Sequence, residues 1–293
     1  MDRAGIEEWL KKYKVENYTI NEDLSIDIDG GVNIGAKGIC VLPVKFRNVS
    51  GYFSCRNNNL QNLIGCPDMV GGAFDCSYNK LTSLEGCPVS VGGDFDCESN
   101  NLSTLKGGPF SVGGYYNCSK NKLFNMISCA VKVVGSLYCD NNNLISLEGC
   151  PVSVGGVLNC GGNQLTSLAG CPVSVGGNFY CFNNYLTSLV GCINEVKGHF
   201  NCSRNRLTSL EGCPSIIIGD FFCFANRITT LDGCPISVGG NFNCYDNEIK
   251  ESELFLYDYD FTGVKNYYVN KKLNEKLSVE LVESVDLVKK NKI

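Results

Sequence analysis

Gly72-Ala73-Phe74-Asp75-Cys76-Ser77-Tyr78-Asn79-Lys80-Leu81-Thr82-Ser83-Leu84-Glu85-Gly86-Cys87-Pro88 decides the fold, because it recurs. Its first cysteine belongs to a series spaced 21 residues apart without a slip: Cys55, Cys76, Cys97, Cys118, Cys139, Cys160, Cys181, Cys202, Cys223 and Cys244. With each of these cysteines as position zero, the other columns follow. Position −4 is always glycine, position −2 is Phe, Tyr or Leu, and position +3 is always asparagine. Position +5 is Leu or Ile, and +8 is Leu or Met where the period holds. A second cysteine column at +11 runs from Cys66 to Cys234, with Gly108 in its one gap, and proline often follows it. A divergent first coil keeps the phase through Ile34, Ile39 and Leu42, which makes eleven coils. Such a period is the signature of a solenoid, in which each unit buries its apolar face against its neighbours.

The physics of one coil follows from these columns. Phe-x-Cys alternates with period two, so both side chains point to one face of a short strand and the residues between them to the other. The +3 asparagine ends the strand, and its amide can satisfy backbone groups at the turn and along the stack. Leucines at +5 and +8 turn back into the core. About 13 residues remain for the return, too few for a helix with two loops, so it is expected to be extended or turn-like. Strands stacked at roughly 4.8 Å predict an array about 50 Å long.

The segment Gly93 to Leu102, read as Gly-x-Phe-x-Cys-x-x-Asn-x-Leu, resembles the strand-and-asparagine segment of a leucine-rich repeat. The short coil and its Leu-x-x-Leu-x-Gly-Cys-Pro return resemble the short bacterial class of that family, over about residues 30 to 250. Two departures stand out: cysteine replaces the second strand leucine, and glycine follows a valine where the family often has leucine. The Cys76 to Pro88 unit is also similar to Cys-rich repeat proteins of bacteriophages and prophages. The resemblance implies a parallel sheet on the concave face, protein binding there and no intrinsic catalysis. It points to a protein partner, with a bacterial host immune protein among the candidates, and to the host cytoplasm as the place of action. A structural or assembly component of a phage particle, and a small-molecule sequestering protein, are the alternatives.

The ends depart from the period. Ile6, Trp9, Leu10 and Tyr13 fall at helical spacing, and Tyr18 to Ile28 reads as a strand pair, so residues 1–29 are expected to cap the solenoid over 30–250. Residues 251–293 are expected to form a second cap, with an aromatic closing element at Leu254 to Phe261 and a terminal helix.

Net charge is −5 over 293 residues, which argues against sequence-independent nucleic-acid binding. No apolar run reaches the roughly 20 residues of a membrane span, and Glu7 and Glu8 interrupt what would be the apolar stretch of a secretory leader. The chain is therefore read as soluble and cytoplasmic. In a reducing compartment nineteen cysteines, an odd number, read as small core residues and neither as a disulfide framework nor as a metal site. His199 is the only histidine, no nucleophile elbow, Walker loop or zincin motif occurs, and no cofactor is expected.

Positions −3, −1, +1 and +2 are the ones a solenoid does not need for its core. Asp75, Asp94, Asp96 and Glu98 make an acidic cluster there in the early coils, and Tyr180, Phe182, Phe222, Phe224 and Tyr245, with Tyr138 upstream, make an aromatic one in the later coils. Outward aromatic residues on a soluble scaffold mark an interface, so these ten residues are the partner-binding candidates. The competing expectation is that the C-terminal segment folds over them.

Overall fold

The computed structural model describes residues 1–249, so the expected C-terminal cap lies outside the described residues. The Phe-x-Cys segments form an eleven-stranded sheet running from Val32–Asn33 to Phe242–Asn243. Every pair in it is parallel and in register, with residue i opposite i+21, as Phe74 faces Phe95 and Asp75 faces Asp96. Ladder bonds are short: the amides of Phe74 and Cys76 donate to the carbonyls of Asp94 and Asp96 at 2.8 Å.

The returns are extended, and most carry a two-residue strand of their own, such as Ser90–Val91 and Ser174–Val175. These strands stack into a second, nine-stranded sheet beginning at Tyr18–Ile20 and Ser25–Ile28, then into a three-stranded one from Glu195–Val196 to Ser237–Val238. The valine of each Ser-Val pair points inward and the serine outward, the alternation expected of half-buried strands.

The long sheet on one side and the two return-side sheets on the other therefore enclose one continuous core. Phe46, Phe53, Phe74, Phe95 and Tyr116 form a file of rings with successive centroids 5.2, 5.7, 5.9 and 4.8 Å apart. A second file, Phe179, Phe200, Phe221 and Phe242, continues beyond Leu137 and Leu158. The cysteines from Cys55 to Cys223 in the first column are fully buried beside the rings, and all nineteen thiols are free. Burial pushes the Cys97 and Cys118 thiols well above their ordinary range and those of Cys129 and Cys171 up to about 12. Several donate weakly to the next coil, as Cys97 Sγ does to the Asn117 carbonyl at 3.2 Å. Cysteine fits here as a small apolar group with a weak donor.

Each strand ends where the residue at +2 takes a positive φ, 52° to 55° at non-glycine residues such as Tyr78, Asn141 and Asn183 and 64° at Gly162. That left-handed step costs a non-glycine residue about 1 kcal/mol. The asparagine that follows offsets it. Asn142 Nδ2 donates to the carbonyls of Cys118 and Cys139 at 3.0 and 3.1 Å, and its Oδ1 accepts the Leu123 amide at 3.0 Å. Repeated from Asn58 to Asn247, and buried as far as Asn205, this column stitches neighbouring coils together. The +10 glycines, such as Gly86 with φ of +87°, make the sharp bend before Cys-Pro that a side chain would strain.

At the N-terminal end the helix Arg3–Lys12 is capped by Asp2, whose carboxylate accepts the Gly5 amide at 3.0 Å. The helix buries Ile6 and Leu10, and Trp9 meets Phe46 edge-on at 6.2 Å.

One coil breaks two columns together. Tyr116 replaces phenylalanine at −2, and its hydroxyl is buried without a hydrogen-bond partner. Gly108 fills the gap in the +11 cysteine column, and a Cβ there would stand 3.3 Å from the Tyr116 hydroxyl oxygen. The missing cysteine is the space the extra oxygen occupies.

Candidate functional site: the open face of the long sheet

The in-register stack turns each coil position into a row along the outward face of the long sheet. In the −1 row, Asn and Asp have a structural task. Their Oδ1 atoms accept the amide two residues on, which lies outside the ladder; this holds for Asn33, Asp75, Asp96, Asn117, Asn159 and Asn201 at 2.9–3.1 Å and for Asn243 at 3.4 Å. Tyr138, Tyr180 and Phe222 occupy the same row and cannot make that bond. Three coils thus forgo a local hydrogen bond and present an outward, half-buried aromatic ring instead.

Of the aromatic candidates, Tyr180 and Phe182 approach to 6.5 Å between centroids, and with Phe222 they border a shallow hollow of about 310 Å³. Phe182 lies over Gly161, where a Cβ would come within 2.7 Å of the ring. Phe224 and Tyr245 form a separate stacked pair, with centroids 4.8 Å apart and planes 6° from parallel. Tyr138 sits apart from both, edge-on to Tyr115 at 6.1 Å.

The acidic candidates are close together but differently engaged. Asp75 accepts from the Ser77 hydroxyl at 2.6 Å and lies 3.8 Å from Arg56. Asp94 accepts the Tyr115 amide at 2.9 Å, and Glu98 pairs with Lys120 at 2.7 Å. Burial pushes the Asp96 carboxyl up to about 6; the Glu98 amide opposes the rise, and the charges of Asp75 and Glu98 add to it. Asn117 makes the same backbone bond one coil on without a charge, so the acidity of Asp96 is not required by the turn.

The sequence reading missed Tyr115, Asp140 and Asp220. With Glu98, Asn117 and Tyr138, the first two line a second hollow of about 240 Å³. The phenol of Tyr115 is pushed up to about 12, by burial first and then by the charges of Asp96 and Asp94. Asp220 belongs to the aromatic hollow, where its amide donates to His199 Nδ1 at 2.9 Å and its own Oδ1 accepts the Asn241 amide at 2.7 Å. The signal for all three was their place in rows flanking −1: Tyr115 one coil on from Asp94, Asp140 in the coil of Tyr138 and Asp220 in the coil of Phe222.

Among the described residues no three His, Cys, Asp or Glu side chains converge in a way that could hold a metal, and no helix is long and apolar enough to cross a membrane. Val89, Phe110, Val131, Val152 and Val173 form an exposed apolar row on the return side over five consecutive coils, with Asp68 and Asn194 in the same position at its two ends.

Parallel two-residue strands, an asparagine column and apolar returns define a solenoid of leucine-rich-repeat type. The fold is similar to that of YopM, a leucine-rich effector protein from Yersinia pestis, with a TM-score of 0.52 and 19% identity over 75% of this chain and 67% of that one. A structure of YopM from Yersinia enterocolitica aligns with a TM-score of 0.41 and 16% identity, over 74% of this chain and 56% of that one. At such identities the likeness concerns the fold alone. No family model matches the chain, and no curated protein sequence matches it.

Proposed function

We propose that this protein is a non-enzymatic scaffold that grips a protein partner on the open face of its long sheet, chiefly through the later coils. The observation that carries this reading is the −1 row, where Tyr138, Tyr180 and Phe222 replace residues that hold the turn. A feature that costs the fold a hydrogen bond and adds outward apolar surface serves something outside the fold. Aromatic anchors flanked by polar side chains are what interface hot spots favour. YopM supports the reading only as an effector built on a similar fold.

The finer reading rests on the sequence resemblance to Cys-rich phage proteins: the partner is a bacterial host protein, such as an immune component, blocked by occlusion. Replacing Phe182, Phe222 and Phe224 together by alanine is expected to abolish partner capture from bacterial lysate while leaving circular dichroism unchanged. Undiminished capture by a folded triple variant refutes the open-face reading.

A further inference from the structure

The aromatic residues of the −1 row do not form a continuous patch. From Tyr138 the row reads Tyr138, Asn159, Tyr180, Asn201, Phe222, Asn243, with a ring on every second coil. At roughly 4.8 Å per coil, successive rings stand about 9.6 Å apart. An extended β-strand lying along the array would present same-side residues about 6.7 Å apart. An α-helix would do so at about 5.4 Å, or about 10.5 Å for i and i+7. A polyproline II helix, with three residues per turn and a rise of about 3.1 Å, repeats at about 9.3 Å. Over the three rings its mismatch amounts to about 0.6 Å, against about 1.8 Å for the helical i, i+7 repeat.

Two further features fit the same occupant. A polyproline II chain has no internal hydrogen bonds, so its carbonyls need donors. The Nδ2 groups of Asn159 and Asn201, between the rings, donate to nothing else among the described residues, since each side chain engages the backbone through Oδ1. Tyr180 accepts from Asn178 Nδ2 at 2.7 Å, which leaves its own hydroxyl proton available to donate. Charge gives the second feature. Asp96 lies on the same row two coils before Tyr138, and the hollow that Tyr138 borders carries Glu98, Asp140 and Lys120, of which Lys120 is paired with Glu98 at 2.7 Å.

We propose that the open face binds a proline-rich segment of the partner in the polyproline II conformation, its ridges seated between Tyr138, Tyr180 and Phe222, with a lysine or arginine at one end beside Asp96. The inference rests on the protein-binding reading above and names the chemistry of the partner. A preformed, stiff ligand suits an open sheet that offers shallow hollows and no deep pocket, because little conformational entropy is lost on docking.

The array itself supplies the test variants: Tyr138→Asn, Tyr180→Asn and Phe222→Asn install the residue that alternate coils already carry, so folding is expected to survive. The probe is a dye-labelled oligoproline of about 12 residues with arginine at one end, followed by fluorescence anisotropy against the full chain. Saturable binding is expected, weakened about tenfold by each of the three substitutions. Asp96→Asn is expected to weaken the arginine-bearing peptide and to leave a plain oligoproline unaffected. Binding no better than that of a Gly-Ser peptide of equal length, or binding indifferent to the three variants, overturns the proposal. A random-peptide selection on the full chain separates the two failures. Selected peptides without prolines three apart, yet displaced by the asparagine variants, overturn the polyproline inference and leave the open-face reading standing. Selected peptides insensitive to those variants overturn both.

Discussion

Tyr116 and Gly108 offer the most direct test of how the core is packed. The hydroxyl of Tyr116 is buried with no partner, and Gly108 stands where the neighbouring coils carry cysteine. Tyr116→Phe deletes an unsatisfied buried polar group, whose desolvation costs about 1–3 kcal/mol, and leaves a small void in exchange. The net expectation is stabilisation of about 1 kcal/mol. Gly108→Cys in the parent chain drives a Cβ to 2.9 Å from Leu84 Cδ1 and 3.3 Å from the Tyr116 oxygen, with the sulfur still to be placed. Overpacking of this kind costs about 1–3 kcal/mol. In the Tyr116→Phe background the same cysteine enters a coil like its neighbours, and most of that cost should vanish. The double-mutant cycle is therefore expected to show a coupling of about 1–2 kcal/mol, read from urea denaturation monitored by circular dichroism. Additive effects, or a phenylalanine variant less stable than the parent, would refute the account of the paired exception.

Three other predictions concern separate parts of the molecule. Asp96 is held up at about 6 against an ordinary value near 3.8, so the native state binds its proton more tightly than the unfolded chain does. Stability from this group is therefore full below about pH 4, falls as pH rises to about 6 and is level above that, by up to about 3 kcal/mol. Asp96→Asn keeps the acceptor for the Glu98 amide; its advantage over the parent should grow across that window, and denaturation curves with a constant gap would count against it. Asn142→Ala orphans the Leu123 amide and the carbonyls of Cys118 and Cys139 at a buried site, with an expected loss of about 3 kcal/mol. Hydrogen exchange should accelerate first at the coils on either side. Under native conditions one thiol per chain should react quickly with an aromatic disulfide reagent, and Cys40→Ser should remove that phase, since Cys40 alone is exposed.

Sequence by itself determined the period, the inward rows and the asparagine column, because residues that must face a core at every coil cannot vary independently. It also located most of the open-face candidates as departures from the repeat. It did not disclose the Ser-Val strands of the return, since two residues are too few to show an alternation. Nor did it show why Gly108 and Tyr116 depart together, for the two meet only inside the core. Tertiary structure alone decided the grouping of the site. Sequence reading separated an acidic cluster from an aromatic one, yet the fold sets Tyr138 beside Glu98 and Asp140, and Asp220 and His199 beside Phe222. The physical reason is stacking: neighbours on the open face are residues 21 apart and the rows that flank them, so each hollow is assembled from several coils and belongs to no single stretch of chain.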